Sequence, residues 1–178
     1  MSIVTGLLGA IFPPRRERVA ELSPGRRSLV RGTVVARDLI ESTLTGEPCV
    51  YYRYAVEEWR NHMAGLASEG IWAPTRFDEA IVEFYLQDED GGRVIVAPQD
   101  SRVERGRGID PEFVDMGIIG QRAHEMRIGP GDQIEVEGTV ARVADLFDQD
   151  RDYRGNASRL MLHAPDNDTI SIRIVARR

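Results

Sequence analysis

The sequence predicts a mainly β fold, a single-domain β-barrel of which the OB type is one candidate. Three observations lead to this fold class. About seven short segments alternate apolar and polar residues or are rich in Val and Ile, turn signals separate them, and only one interior segment has helical spacing. Closure into a barrel would also protect the edges of such valine-rich strands.

The first two predicted strands flank a turn. Residues 29–39 are rich in Val, and Gly32 inside them is typical of a strand that bends or carries a bulge. The hydroxyl, glycine and proline residues of 42–48 predict the turn. Residues 49–59 have the clearest period of two, which predicts a half-buried strand whose one face carries Val50, Tyr52, Tyr54 and Val56. Of these, Val50 and Tyr52 are expected to fill the barrel.

A loop, a hairpin and a helix are predicted next. Residues 61–74 are polar and contain glycine, which indicates a loop. The apolar segments 81–86 and 93–96 flank residues 88–92, whose paired glycines favour a tight reversal, so they predict a β-hairpin. Residues 110–126 have a proline near their start and apolar side chains at roughly helical spacing, which predicts a short inserted helix.

Three strands are predicted to close the domain. A turn signal at 129–132 precedes residues 134–140, in which apolar residues alternate with polar ones. The polar segment 148–156 separates them from two short apolar segments, 160–162 and 170–174. We therefore expect the barrel to be completed by these last strands.

The first 26 residues are predicted to lie outside the β domain, which we assign to residues 27–178. Residues 2–12 are largely apolar and precede a Pro/Arg linker. This run is about half of the ~20 residues that cross a bilayer, and it lacks the leading positive charge and the cleavage site of a secretory signal. Two interpretations remain open: a short N-terminal helix that packs on the domain or on a partner, or an interfacial membrane anchor whose arginines contact headgroups.

Charge and cysteine content exclude several classes of protein. The net charge is -6 and all 23 basic residues are Arg. An acidic balance disfavours nucleic acid as a partner, because phosphate-backbone binding needs a basic face. The single cysteine, Cys49, excludes a disulfide framework and a RING-type zinc site, and it favours a reducing compartment. We expect a cytoplasmic protein, with peripheral attachment to the inner membrane as an open alternative.

No set of residues predicts a catalytic centre or a bound cofactor. The three histidines lack zinc-site spacing, and Cys49 has no obvious histidine nearby to lower its pKa, so it is expected to be a buried structural thiol. A D-x-D-x-D run begins like a calcium loop, but an EF-hand needs Gly and Glu where Tyr153 and Arg159 stand. Its carboxylates belong to Asp148, Asp150 and Asp152. An arginine cluster in a predicted loop can hold a phosphate or a carboxylate, with a solvated loop as the simpler interpretation: Arg102, Arg105 and Arg107.

Several strings in the sequence resemble the GIDE domain. Residues 42–52 read S-T-L-T-G-E-P-C-V-Y-Y, which resembles the family's opening signature, and V-E-E-W follows at 56–59. The segment F-Y-L-Q-D at 84–88 looks like the family's central hairpin. An R-x-x-E pair at 122–125 and a G-D-x-x-x-V-x-G run at 131–138 follow in the family's order.

The resemblance implies a β-rich interaction module, often beside a membrane. The family is best known from mitochondrial membrane-anchored ubiquitin ligases, in which a separate RING finger carries the ligase activity. That activity is not expected here, because the RING cysteines are absent, and the family supplies no catalytic residues. If the domain has a ligand surface, we expect it near the 42–48 turn and the adjacent strand face, at Thr45, Glu47, Tyr51 and Arg53.

The leading hypothesis is therefore a non-enzymatic module that binds or scaffolds a protein partner, with a membrane surface as a further contact through residues 1–14. Two alternatives remain. An OB-like protein that binds single-stranded nucleic acid is favoured by the barrel and its aromatic residues but disfavoured by the charge. A metal-dependent hydrolase would use carboxylates of the 148–152 run. No sequence feature indicates an oligomeric state.

Overall fold

The computed structural model describes residues 15–61, 70–114, 116–144, 158–165 and 168–178. These residues are built mainly of strands, with one short 3-10 helix at Val19–Glu21. The first seven strands are β1 (Arg16–Glu17), β2 (Arg27–Ala36), β3 (Ile40–Glu41), β4 (Pro48–Cys49), β5 (Tyr51–Asn61), β6 (Gly70–Ile81) and β7 (Phe84–Gln87). The next seven are β8 (Arg93–Val96), β9 (Ser101–Arg105), β10 (Glu112–Val114), β11 (Gln121–Ile128), β12 (Gln133–Ala144), β13 (Ser158–His163) and β14 (Ile170–Ala176).

Five strands form a closed barrel, which confirms the predicted fold class at this level. Their order around the ring is β2–β7–β8–β13–β12, and β12 returns to β2. The closing pair is antiparallel and runs from Thr33 opposite Gln133 to Arg27 opposite Thr139. β7 and β8 form the predicted antiparallel hairpin, whereas β8 and β13 are parallel.

The barrel is filled by aliphatic and aromatic side chains at alternate positions of its strands. Alternation places every second side chain inside, where burial of each large apolar group contributes about 1.5–3 kcal/mol. The fully buried members from the barrel strands are Val30, Phe84, Leu86, Val94, Val96, Ile134, Val136 and Leu162. β14 lies beside β12 and adds three more, Ile170, Ile172 and Ile174.

β2 changes partners at its glycine. Its first part pairs with β12 and its last part with β7, and Thr33, next to Gly32, pairs with both. A Cβ atom on Gly32 would lie 2.4 Å from the backbone oxygen of Gln87 in β7. The bend predicted from this glycine is therefore a point of close backbone approach that a larger residue would obstruct.

A second sheet has the order β10–β11–β5–β6, and it corrects the prediction of a helix at 110–126. These residues form β10, a turn and β11, and β11 pairs with β5 along its whole length, from Gln121 to Ile128. Gly117 and Gly120 both have positive φ, which a helix would not accept. Strand pairing over eight residues thus replaces the apparent helical periodicity, whose Ile118 and Ile119 lie exposed in the turn.

Two predicted loops also contain strands. Residues 61–74 were expected to be a loop, but β5 extends to Asn61 and β6 begins at Gly70. Arg102 and Arg105 belong to β9, which pairs in parallel with β14. Both strands were missed because their residues are largely polar and exposed on their free sides, so neither has an apolar period of two.

The chain before residue 27 already contributes to the core. Arg16–Glu17 pairs in parallel with β2, and the apolar side chains of Val19 and Leu22 are buried against the barrel. The backbone N–H of Val19 donates to Asp88 at 2.8 Å, which joins this segment to the hairpin turn. The N-terminal helix expected within residues 1–14 lies outside the described residues.

Candidate functional site

The four-stranded sheet leaves part of one face uncovered, beyond the end where Tyr51, Met126 and Ile128 on the same face join the main core. A row across its strands contains Phe113, His124, Ala55 and Phe77, in that order. Residues opposite one another in neighbouring strands point to the same face. Phe113 and Phe77 are 64% and 60% exposed, and the rings of Phe113 and His124 lie 6.0 Å apart. We call the face that carries this row the open face.

The opposite face of the same sheet is covered. Tyr54, Val56 and Ala123 form a small buried cluster there. Leu44 from the 42–48 turn and Met116 pack against it. The sheet is thus packed on this face along its length and on the other face at its barrel end, so the exposure of Phe77 and Phe113 is not due to the lack of a core.

A cleft of about 510 Å³ lies on the open face. Its walls include Arg53 on β5 and Arg105 at the end of β9, and both side chains also line a neighbouring cavity of about 570 Å³. Among the described residues, neither guanidinium has a hydrogen bond or an ion pair. Asp110 borders both cavities as well. Two unpaired guanidinium groups beside aromatic rings are suited to bind a carboxylate or another anion.

Two tryptophans continue the open face toward the far end of the sheet. Trp59 on β5 is opposite Trp72 on β6, and their rings meet edge to face with centroids 5.4 Å apart. The Arg122 guanidinium lies 4.3 Å from the centroid of Trp72, and its Nε donates to Glu57 at 2.6 Å. Ile119, in the adjacent turn, is fully exposed. This end of the sheet therefore presents aromatic, aliphatic and Arg surfaces together.

Thr45, the first of the predicted site residues, is part of a network that holds the 42–48 turn. Its Oγ1 donates to Glu125 Oε2 at 2.8 Å and lies 2.5 Å from the Ser42 hydroxyl. The backbone N–H of Leu44 donates to the other oxygen of Glu125 at 3.3 Å. Glu125 is fully buried. The R-x-x-E glutamate thus anchors the turn of the opening signature.

The other three predicted site residues are separated. Glu47 is exposed and forms an ion pair with Arg127 at 3.4 Å. Tyr51 is only 1% exposed, and its hydroxyl donates to Glu79 at 2.8 Å. Burial, helped by this bond to Glu79, raises the pKa of Tyr51. Only Arg53 lines the cleft. The structure therefore places the four residues in four different environments rather than on one surface.

The strand that carries these residues also differs in phase from its prediction. Val50 is buried as expected, but Tyr51 rather than Tyr52 joins the main core. The Tyr52 hydroxyl donates to Asp78 at 3.1 Å, near the surface of the covered face. The expectation that Tyr52 fills the barrel is wrong, because Tyr51–Asn61 belongs to the second sheet and not to the barrel.

Cys49 is the one thiol of the chain. It is buried, and its Sγ donates to the backbone oxygen of Ile40 at 3.5 Å. Burial and the nearby Glu125 carboxylate raise its pKa to about 11. A thiol in this state is protonated at neutral pH and is a poor nucleophile. This agrees with the structural role predicted for it.

The described residues contain no group of three or more His, Cys, Asp or Glu side chains that could hold a metal ion. Asp148, Asp150 and Asp152, the residues of the calcium-like run, lie outside the described part of the chain. No helix among the described residues is long and apolar enough to span a membrane.

Comparison with models of known protein families, with curated proteins and with solved structures finds no match to this chain.

The aromatic residues of the open face were missed by sequence reasoning, apart from Trp59. Phe77 stands between two charged residues, R-F-D, in a segment without an apolar period, whereas Phe113 was assigned to the apolar face of the predicted helix. The isolation of Phe77 among charges was the available signal, since a phenylalanine that a core needs is usually accompanied by other apolar residues. The spatial row became visible only through the pairing of four strands.

Proposed function

We propose that this protein is a non-enzymatic protein-binding module and that the open face of the four-stranded sheet is its binding surface. One observation carries this proposal. Among the described residues, six of the seven exposed large apolar side chains belong to this sheet or to its β10–β11 turn: Trp59, Ile71, Phe77, Phe113, Ile118 and Ile119. Trp59, Phe77 and Phe113 lie on the open face, whereas Ile71 alternates with Trp72 and points to the other face. Such a concentration of exposed apolar side chains in one part of a domain is typical of an interaction site.

The composition of the open face favours a protein as the partner. Protein interfaces are rich in Trp, Phe, Met and Arg, and their hot spots are aromatic or Arg side chains surrounded by polar groups. The cleft has Phe77 and Phe113 at its sides, with Arg53 and Arg105 beside them. Because both arginines lack ion pairs among the described residues, we propose that the partner brings an acidic group to this cleft, next to an apolar side chain.

A capture experiment tests the proposal. The full chain and the Phe113→Asp variant are immobilised, and proteins bound from native lysate are quantified. Leu39→Asp is the matched control, because Leu39 is an exposed apolar residue outside the four-stranded sheet. Loss of the same bound proteins with Phe113→Asp and their retention with Leu39→Asp is the expected result. Equal binding by both variants would refute the open face as the binding surface.

Membership of the GIDE family is part of the same proposal. The sequence strings that resemble the family coincide with defined structural parts: the 42–48 turn, the Glu125 anchor, and the 129–132 turn, where Asp132 accepts from the N–H of Gly129 at 2.9 Å. This supports a shared architecture in which the signature residues are structural. In this proposal, the residues that bind the partner are not those of the family signature.

Single-stranded nucleic acid is a second candidate, which the strand order of the barrel favours. A ring of order 1-2-3-5-4 with parallel third and fifth strands is the arrangement of OB folds, so we propose an OB-type barrel. Aromatic rings with nearby Arg side chains also stack bases. Fluorescence anisotropy of labelled oligonucleotides tests this: salt-sensitive binding that Phe113→Asp abolishes would support it, and absence of binding at low salt would refute it.

Contact with a membrane at its cytoplasmic face rests on residues 1–14, whose apolar run precedes Pro13 and Pro14. We expect this segment to bind at an interface rather than to span it. Sedimentation with anionic vesicles compares the full chain with a chain lacking residues 1–14. Equal sedimentation of both forms would remove this part of the proposal.

A further inference from the structure

The outer edge of the four-stranded sheet is long and exposed. β6 pairs with β5 on one side, and no described strand pairs with its other side. It has 12 residues, whereas β10 at the opposite edge has three. Residues 74–79 are all exposed. Pro74 has no N–H and the register with β5 shifts beside it, but from Arg76 onward the edge presents unpaired backbone donors and acceptors that can pair with another strand.

The residues of this edge are complementary to themselves. They read Thr75, Arg76, Phe77, Asp78 and Glu79. We infer that two copies of this chain pair antiparallel through β6, centred on Phe77. In this register Arg76 stands opposite Asp78 of the second copy, and its own Asp78 opposite the second copy's Arg76. The two Phe77 rings meet at the two-fold axis, so one strand supplies both halves of an isologous interface.

The side chains at the edge are available for these contacts. Phe77 points to the open face, and Arg76 and Asp78 point to the covered face, as alternation requires. Arg76 lies 5.9 Å from the centroid of the Tyr54 ring and has no ion pair among the described residues. Asp78 accepts from Tyr52 and from the Glu79 N–H, which leaves lone pairs on its carboxylate for a guanidinium.

The charges allow one antiparallel register and oppose its neighbours. A shift of one residue places Phe77 opposite a charged side chain. A shift of two residues places Arg76 opposite Arg76, or Asp78 opposite Asp78, of the second copy. Like charges directly opposite are destabilising in a sheet, whereas opposite charges stabilise it. Charged residues on an edge strand usually prevent unspecific pairing. Here they favour one register of pairing with a second copy of the chain.

Pairing in this register would join two four-stranded sheets into one of eight strands. The two-fold axis passes between the two Phe77 residues, which are directly opposite each other. Residues directly opposite in paired strands point to the same face, so the open faces of both copies lie on the same side of the joined sheet. The dimer thus places the two open faces side by side without covering Phe113. The inference stands on the edge strand alone and does not depend on a partner at the open face.

A charge-exchange experiment tests the pairing. The full chain is examined by sedimentation velocity over a micromolar to millimolar range, together with Arg76→Asp and Asp78→Arg. Each variant alone would face like charges and should raise the dimer dissociation constant about tenfold or more. An equimolar mixture of the two variants should restore the dimer, since every Asp of one chain then faces an Arg of the other. This rescue requires both variants to be folded, so it separates pairing from misfolding.

Glu89→Arg is the matched control. It makes the same change of charge at an exposed position in the β7–β8 turn, away from β6. It should leave the dimer unchanged, and amide exchange at residues 75–79 should slow as the wild-type chain associates. A chain that stays monomeric at every concentration would overturn the inference. So would a dimer that both single variants retain, or a mixture of the two variants that stays monomeric.

Discussion

At the scale of the residue, Glu125 has the most demanding environment in the second sheet. It is a fully buried carboxylate, and its two oxygens accept from the Thr45 hydroxyl and the Leu44 N–H. A buried charge is tolerated only while its hydrogen-bond partners are present. This explains in physical terms why a turn and a strand far apart in sequence carry matching polar residues.

The contribution of this network can be measured through Thr45. Thr45→Val keeps the shape of the side chain but removes a donor to Glu125, so we expect a loss of about 1–3 kcal/mol in the free energy of unfolding. Urea denaturation provides the value. Thr43→Val, at an exposed neighbouring position, is the control and should change stability little. Equal stability of the two variants would show that the network does not hold the turn.

Glu135 predicts a dependence of stability on pH. Burial opposes its ionisation, but the hydrogen bonds and charge of Arg173, with Arg16 and Arg31, outweigh burial and lower its pKa below 4.5. A lowered folded-state pKa stabilises the fold above about pH 4.5 and loses this contribution as the pH falls through the folded value. Glu135→Gln should therefore cost about 1–2 kcal/mol at neutral pH, discounted because Arg173 is half exposed.

The measurement for Glu135 is a series of urea denaturations of both proteins from neutral pH down to strongly acidic pH. The difference between wild type and Glu135→Gln should shrink below pH 4.5. A difference that is constant with pH would mean that the ionised carboxylate contributes nothing specific.

Cys49 should be unreactive in the folded protein. Its pKa of about 11 lies some two units above that of an ordinary thiol, which lowers the thiolate fraction about a hundredfold, and burial restricts access further. Alkylation by iodoacetamide at mildly alkaline pH, followed by mass spectrometry, should be slower in buffer than in urea by at least this factor. Comparable rates would contradict the buried position of the thiol.

At the scale of the element, the close approach of β2 to β7 depends on the absence of a side chain at residue 32. Gly32→Ala would bring a Cβ to 2.4 Å from the Gln87 oxygen, so strands β2 and β7 must separate. We expect a loss of about 1–3 kcal/mol or more, read from thermal or urea unfolding. Gly129→Ala is the control, because its Cβ would come no closer than 4.0 Å to any neighbouring atom. Equal stability of the two variants would refute the close approach.

The elements that sequence reasoning found are those with a strong local signal. The β7–β8 hairpin has apolar residues on both sides of a turn in which the Asp88 carboxylate accepts from the Gly92 N–H at 2.7 Å. β6 and β11 lack such a signal: the residues of β6 are largely exposed and polar, and β11 pairs with β5, which is distant from it in sequence. The prediction of a helix at 110–126 was wrong for a related reason. The spacing of apolar residues is a local signal, and it does not report the pairing with a strand that is distant in sequence.

At the scale of the whole molecule, a barrel supports a second sheet that is inserted between its strands. β5 and β6 lie between the first two strands of the barrel, and β10 and β11 between its third and fourth strands. The cleft therefore combines Arg53, Arg105 and Phe113 from three separate parts of the chain. No spacing in the sequence relates these residues, so the sequence presents Arg53 and Arg105 as separate candidates, and the residues predicted beside Arg53 lie elsewhere.

The most direct test of the proposed function is site-specific photocrosslinking in the native cell. A photoreactive phenylalanine analogue replaces Phe113, on the open face, or Leu39, which is exposed outside the four-stranded sheet. If the open face binds a protein partner, illumination should join a defined protein to the chain with the probe at residue 113 and not at residue 39. Crosslinks that are absent at residue 113, or equal at both positions, would contradict a binding role for the open face.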